Sequence, residues 1–304
     1  MAAKTFDPSP VVRARLDDPD PVVRTLIAKG AAKALSWAEL EPLVEPMLAS
    51  TTPAARYSAL DILWTHRRTG AKEVLERSLA DSHSHVRGTA RWLLKGEAGF
   101  DAATAQRAAL SKASNADLVG ALEGLGEVGD ATDAARALPY LGHPRARVRA
   151  AAIHLLGAVG GAEHREALIG ALSDPSAKVS RAARMLLLRA GAIDPDRITW
   201  AAHRSSHPHE RKGAVDLARA HDHWLAGVLL LRIATRTTDA AVVGRASEAL
   251  QSWENRYNRV FSAPSEALVA EFEALVSRES AIEPAQLTRL RGLVPALRTR
   301  LRGT

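Results

Sequence analysis

A two-residue signature returns along this chain at an interval that a single globular core would not produce. It is Val followed by Arg, just after a short polar turn, at Val23-Arg24, Val86-Arg87 and Val148-Arg149, with Val179-Ser180-Arg181 as a near copy. After Val148, Ala151, Ala152, Leu155 and Leu156 fall at offsets 3, 4, 7 and 8. Those offsets share one face of an α-helix. Thr89, Ala90, Leu93 and Leu94 follow Val86 in the same pattern, and Ala182, Ala183, Leu186 and Leu187 follow Val179. Leu26, Ile27, Gly30 and Ala31 follow Val23. The pattern places further anchors at Ala55, Leu118, Arg211 and Val242, so eight anchors stand 30 to 32 residues apart. A fixed interval of that size marks stacked supersecondary units, none of which buries its apolar face alone.

Most anchor stretches are preceded by a second apolar stretch: Trp37 to Leu48, Lys72 to Leu79, Ala131 to Leu141, Ala162 to Leu172 and Arg197 to His203. Between them lie turns such as Asp17-Asp18-Pro19-Asp20-Pro21, Gly142-His143-Pro144, Ser173-Asp174-Pro175 and Ser206-His207-Pro208. Pro after a polar residue ends one helix and opens the next. The unit is therefore helix, turn, helix, turn. Aromatic residues make up 4% of the chain, and Ala and Leu dominate its apolar share, which suits closely packed helices rather than a β-sandwich.

The runs His143 to Gly157 and Asp174 to Leu187 resemble HEAT repeats, in the short bacterial form also found in phycobilin lyases. The resemblance covers roughly residues 10–255. It implies an all-α fold, a right-handed α-solenoid of about eight HEAT-like helix pairs, with the second helices lining its concave side. It also implies that a turn Asp and the following Arg tie neighbouring repeats together. Asp20 with Arg24, Asp81 with Arg87 and Asp174 with Arg181 fit that use. We divide the chain into a repeat solenoid, 1–255, and C-terminal capping helices, 256–304. Within the latter, Pro264–Ser277 and Pro284–Leu301 read as two longer amphipathic helices. The second carries Arg289, Arg291, Arg298, Arg300 and Arg302.

The chain has no Cys, which excludes disulfides, thiolate metal sites and a Cys nucleophile. Its first residues, MAAKTFDPSP, lack a secretory pattern. The longest apolar stretch, around Trp224–Ile233, is short and broken by Arg232, so no membrane insertion is expected and the protein reads as cytoplasmic. Net charge is +7, and residues 141–220 hold 13 Lys and Arg against 7 Asp and Glu. Such a segment attracts nucleic acid, acidic protein or an anionic surface, or is a solvated basic face.

Chemistry-bearing candidates are sparse. His203, His207, His209, His221 and His223 cluster, but His207-Pro-His209 and His221-Asp-His223 sit in turns and give no i,i+4 pair on a helix. They read as turn and surface histidines, with no metal and no cofactor assigned. HEAT-repeat hydroxylases use His-Glu pairs in several repeats, and this chain has only His209-Glu210. Alkyl-purine glycosylases of similar fold use Trp and Asp in a cleft. Trp200, Trp224 and Asp222 supply those residue types without a motif. Phosphate-loop, dinucleotide, zincin and nucleophile-elbow patterns are absent, and no catalytic residue is assigned.

The informative positions are those on the anchor helices that the core leaves unused. Offsets 5 and 6 hold Arg91 and Trp92, Ile153 and His154, and Arg184 and Met185, and offset 9 holds Trp64 and Lys95. Trp and Arg dominate interface hot spots. Trp64, Arg91, Trp92, Lys95, His154 and Arg184 are therefore the candidate partner-binding stripe, although Trp64 and Trp92 also suit filling of grooves between repeats. The expectation is a non-catalytic scaffold binding a protein partner on the concave face of the solenoid. Its rivals are a nucleic-acid-binding protein, related to the alkyl-base glycosylases or not, and a metal- or small-ligand-dependent enzyme of the phycobilin-lyase kind.

Overall fold

The computed structural model describes residues 18–302 apart from 34, 67–68, 162–163, 192, 261 and 279, and leaves undescribed the side chains at 21, 24, 31, 258 and 302. Asp17 and the side chain of Arg24 thus lie outside what is described, so the expected Asp20–Arg24 pair does too. The described residues form helices joined by short turns, with no strand among them. The chain clusters into two compact units, 1–161 and 162–304, and the repeat boundary expected at 255 falls inside the second.

Unit 1 contains α1 (Pro21–Ala31), α2 (Trp37–Leu48), α3 (Pro53–Thr65), α4 (Ala71–Ser78), α5 (Ser84–Leu94), α6 (Ala102–Lys112), α7 (Leu118–Val128) and α8 (Ala146–Val159). A 3-10 helix, Ala131–Tyr140, replaces the first helix of the pair that ends in α8. Asp130 and Asp133 cap its start, and Pro139 denies it an amide near its end. The anchors lie on α1, α3, α5, α7 and α8, and each of these packs on the next.

Unit 2 contains α9 (Arg165–Gly170), α10 (Ala177–Ala190), α11 (Pro195–Arg204), α12 (Pro208–Ala218), α13 (His223–Arg236), α14 (Ala240–Glu254), α15 (Glu266–Val276), α16 (Pro284–Gly292) and α17 (Val294–Arg302). Here α10, α12 and α14 carry the anchors and pack in that order, while α15 lies on α13 and α17 on α15. The single helix expected over 284–301 is broken at Leu293, because Pro295 has no amide to continue it.

Helix starts follow from local sequence. Asp20 Oδ1 accepts from Val22 N at 2.8 Å, and Asp101 Oδ1 from Thr104 N at 2.7 Å. Ser36 and Glu39 close a capping box, and Pro53, Pro195, Pro208 and Pro284 open their helices. The anchor face is the core. Val86, Ala90, Leu93 and Leu94 are buried, as are Val148, Ala151, Ala152, Leu155 and Leu156, and Val242, Ala246, Ala249 and Leu250. Each large side chain so buried contributes roughly 1.5–3 kcal/mol. The small Ala positions let helices approach closely.

Two anchors are corrected. In α1, Leu26 is 64% exposed, and the helix packs instead through Ala28 and Ala32, whose small side chains allow a close approach. In α12 the register sits on Glu210 rather than Arg211. Glu210, Gly213, Ala214, Leu217 and Ala218 are all buried and occupy offsets 0, 3, 4, 7 and 8. A charged residue thus holds a core position. Its cost is offset by Ser205 Oγ donating at 2.5 Å, Ser173 Oγ donating at 2.9 Å and Arg197 at 3.4 Å.

The anchor arginines are structural, but the pairing differs from the expected one. Each donates to the carbonyl six residues before it: Arg56 to Ser50, Arg87 to Asp81, Arg149 to His143 and Arg211 to Ser205, at 2.7–2.8 Å. Carboxylates come from the following turn instead. Arg56 grips Asp81 with two bonds of 2.7 and 2.8 Å, and Arg211 reaches Asp239 at 2.9 Å. Of Asp81, Arg87 therefore meets only the carbonyl, because the Asp81 carboxylate serves Arg56; its carboxylate partner is Glu127 of α7. Arg181 is exposed, and Asp174 Oδ1 accepts from Ser176 N of its own turn at 2.7 Å.

Candidate partner-binding surface

In unit 1, the outer sides of α1, α3 and α5 border one groove. A cavity of 520 Å³ is lined by Lys29, Tyr57, Asp61, Ser84, His85 and Trp92, among others. Trp92 is the most exposed large apolar side chain of the molecule's described residues, at 71%. Lys29 Nζ stands 4.7 Å over the Tyr57 ring and 3.3 Å from Asp61 Oδ2. The groove thus offers an aromatic wall, a second ring capped by a cation, and polar groups at its edge. Sequence reasoning missed Lys29, Tyr57, Asp61, Ser84 and His85. The signal was present for two of them, since Lys29 and Asp61 stand at offset 6 of their own repeats, as Trp92 does.

The expected stripe divides by offset. Offset 6 faces outward: Trp92, His154 and Met185 are exposed, and so is Lys95 at offset 9. Offset 5 turns toward the neighbouring helix. Ile153 is fully buried, and Arg91 Nη2 donates to Glu127 Oε2 at 2.5 Å. Glu127 also accepts from the buried Arg87, whose Nη1 lies 3.4 Å from Glu123. Burial alone would push the Glu127 carboxyl up, but the bonds from Arg87 and Arg91 outweigh it and hold it below the usual range. Trp64 is half-buried against the α5 core and packs on Gly96, so it fills a groove between repeats.

In unit 2, Arg184 lies 3.4 Å from Asp216, which also accepts from Arg245 at 2.6 Å. Burial pushes the Arg184 guanidinium down, and Asp216 opposes that shift. Arg184, like Arg91, is therefore a brace between anchor helices. On the first-helix side, Trp200 is 45% exposed beneath Arg197, whose Cζ stands 4.6 Å over the ring.

Several histidines act as turn ties or pack in aromatic groups, whereas His203 and His221 have buried ring nitrogens without a partner. His209 Nε2 donates to the Asp174 carbonyl at 3.0 Å, across repeats, and its ring stacks on His207 at 5.4 Å. In unit 1, His66 does the same toward Ala32 at 2.7 Å. Among the described residues no group of three His, Asp or Glu is placed to hold a metal. The glycosylase residue types do not assemble. Trp224 is buried and donates to Ser262 at 3.1 Å, and Asp222 accepts from Trp224 N and Leu225 N as a helix cap.

About half of the cations in the basic 141–220 segment are used internally. Arg145 donates to the Asn115 carbonyl, Arg165 to Gly191, and Arg149, Arg184, Arg197 and Arg211 are bonded as described. Arg147 in unit 1, and Lys178, Arg181, Arg189, Arg204, Lys212 and Arg219 in unit 2, are exposed. Among the described residues no helix is long and apolar enough to cross a membrane.

Residues 104–188 match the family model of HEAT repeats. The matched segment includes the anchors Leu118, Val148 and Val179, so HEAT repeats occupy this part of the chain. The chain is also similar to an engineered protein of solved crystal structure, at 13% identity and a TM-score of 0.36, over 98% of this chain and 99% of that one. No match is found among curated proteins.

Proposed function

We propose that the protein is a non-catalytic scaffold that binds a protein partner on the outward face of its anchor helices. The observation that carries this reading is Trp92, an indole left 71% exposed beside a 520 Å³ groove. Exposing a large ring costs solvation free energy unless a partner covers it, and Trp is the residue type most enriched in interface hot spots. On this reading Trp92, Lys95 and His154 are contact residues of unit 1, and Trp64 and Arg91 hold the helices that present them. In unit 2, Arg184 braces the helix that presents Met185. HEAT repeats generally mediate protein interactions, which supports the class without naming the partner. The exposed arginines of the basic segment give the nucleic-acid alternative less support, because about half of that segment's charge is already bonded within the fold.

The test is capture of partners from the native cell on immobilised protein. A Trp92→Ala variant should lose the captured partner, with a drop in affinity of about 30-fold or more for a hot-spot Trp. Its folding stability should change by less than about 0.5 kcal/mol, as for an exposed position. A Trp200→Ala control should capture normally. A partner that binds both variants equally would overturn this assignment.

A further inference from the structure

One cavity of unit 2 is lined by positive charge and apolar carbon, with no carboxylate among its described lining residues. It measures 350 Å³ and lies between the turn after α12, the start of α13 and the end of α14. Arg219, Arg256 and Arg259 form its rim. All three are exposed, and among the described residues none of them meets a carboxylate; Arg256 Nε donates only to the Ser252 carbonyl at 3.1 Å. That sets them apart from Arg184, Arg197, Arg211 and Arg232 of the same unit, each of which is ion-paired. Of the acids nearest along the chain, Asp222 is committed to capping α13 and Glu254 pairs with Arg289 at 3.3 Å.

Two imidazoles complete the polar part. The Nε2 atoms of His221 and His223 are both buried and have no hydrogen-bond partner. Buried polar atoms are rarely left unmatched, so a pair of them beside one cavity marks a place where a ligand can supply the missing bonds. The His223 ring is held in position. It stacks on Trp253 at 5.1 Å and 16°, and Trp253 Nε1 donates to the His223 carbonyl at 2.7 Å. Ala226, Leu230 and Trp253 supply an apolar floor.

We propose that this cavity binds a small organic phosphate, its phosphoryl group held by Arg219, Arg256 and Arg259 and its compact apolar body resting on the floor. Guanidinium forks match phosphate oxygens in bidentate geometry, and a phosphate monoester carries close to two negative charges near neutral pH. Three unopposed cations fit that charge better than a single carboxylate would. His221 and His223 take the remaining bonds to the ligand. The site lies in unit 2, apart from the Trp92 groove, so its test is independent of the partner-binding reading.

Isothermal titration with phenyl phosphate and with inorganic phosphate tests the proposal on the full chain. Phenyl phosphate should bind at one saturable site, and inorganic phosphate at least tenfold more weakly, because it leaves the floor uncovered. Arg256→Gln and Arg259→Gln should each weaken phenyl phosphate by about tenfold, the loss of one charge-assisted contact. Both positions are exposed, so the variants should keep the parent's melting temperature. Arg219→Gln should give the same loss from the opposite rim. Absence of saturable phenyl phosphate binding, or an unchanged affinity in the Arg256→Gln, Arg259→Gln double variant, overturns the proposal. Equal affinity for the two probes overturns the assignment of an apolar body.

Discussion

The two units stack the same kind of helix pair with different contacts. In unit 1 the tightest approach is helix against backbone. A Cβ added at Gly120 of α7 would stand 2.0 Å from the Ala80 carbonyl oxygen and 2.3 Å from that of Asp81. In unit 2 the close approaches are to side chains: a Cβ added at Gly213 would stand 2.3 Å from the Arg184 guanidinium, and one added at Gly227 would stand 2.5 Å from the Trp253 ring. Buried charges are matched in both units, with Arg87 on Glu127 and Asp133 on Arg107 and Arg136 in unit 1, and Glu210 on Arg197 in unit 2. The buried imidazoles are what differ. Unit 2 leaves buried nitrogens of His203, His221 and His223 without partners. The repeat therefore sets the spacing of helices, while the turn chemistry of each unit decides how it answers added volume and acid.

Added volume should give the largest effect. Gly120→Ala places a methyl inside the van der Waals radius of two main-chain oxygens that cannot rotate away. We expect a loss of about 3 kcal/mol or more, despite the roughly 1 kcal/mol that Ala otherwise gains over Gly within a helix. Gly213→Ala meets the Arg184 side chain from Cδ to Nη1, which can move where a main-chain oxygen cannot, and should cost less, about 1 kcal/mol. Denaturant midpoints of the two variants measure the difference. Equal midpoints would show that the backbone approach in unit 1 has no special status.

Acid should act next, through Asp133 in unit 1. This carboxylate is fully buried and accepts from Arg107 Nε and Nη2 at 2.8 Å, from Arg136 Nε at 3.0 Å and from Asp130 N at 3.1 Å. The Arg107 bonds are the main cause that lowers its pKa from 3.8 to about 2, against the opposing effect of burial. A carboxylate depressed in the folded state stabilises it at any pH above the unfolded value. That stability is lost as pH falls from near 4 to near 2 and amounts to about 2 kcal/mol. Asp133→Asn should remove it at pH 7 and converge on the parent at pH 2. A stability gap that does not narrow in acid would assign the defect to packing instead.

The sequence exposed the fold well and the candidate surface in part, for a physical reason. Burial repeats with the helix, so Val86, Val148 and Val242 announce the core through their offsets alone. The seventh anchor slipped by one because Glu210 sits where an apolar residue is expected, and only its bonds to Ser173 and Ser205 make that tolerable. Offset 6 emerged as the outward row, but offset 5 did not emerge as a bracing row. Arg91 and Trp92 are adjacent in sequence, and what separates them is Glu127, 36 residues away from Arg91. The unit 2 cavity was hidden for the same reason. Arg219, His223 and Arg256 come together only through the packing of α12, α13 and α14, and nothing in the local spelling of a histidine turn tells a tied ring such as His209 from an untied one such as His223.

Mild acid should give the smallest effect, and it should fall on unit 2. Burial is the main cause that lowers the His203 pKa from 6.5, and the Arg236 and Arg204 charges add to it while a backbone contact at Arg232 opposes it. Above pH 6.5 the imidazole is neutral in both states and stability is complete. Below it, the unfolded chain takes up a proton that the folded chain refuses, so stability falls as pH falls toward the depressed folded value. Asp133 is untouched in that window. Region-resolved hydrogen exchange should therefore show α11 and α13 losing protection between pH 6.5 and 5, while the Ala131–Tyr140 segment keeps its own. His203→Leu, which fills the site without a titrating group, should flatten the decline in unit 2. Equal loss of protection in both units across that window would remove the contrast between them.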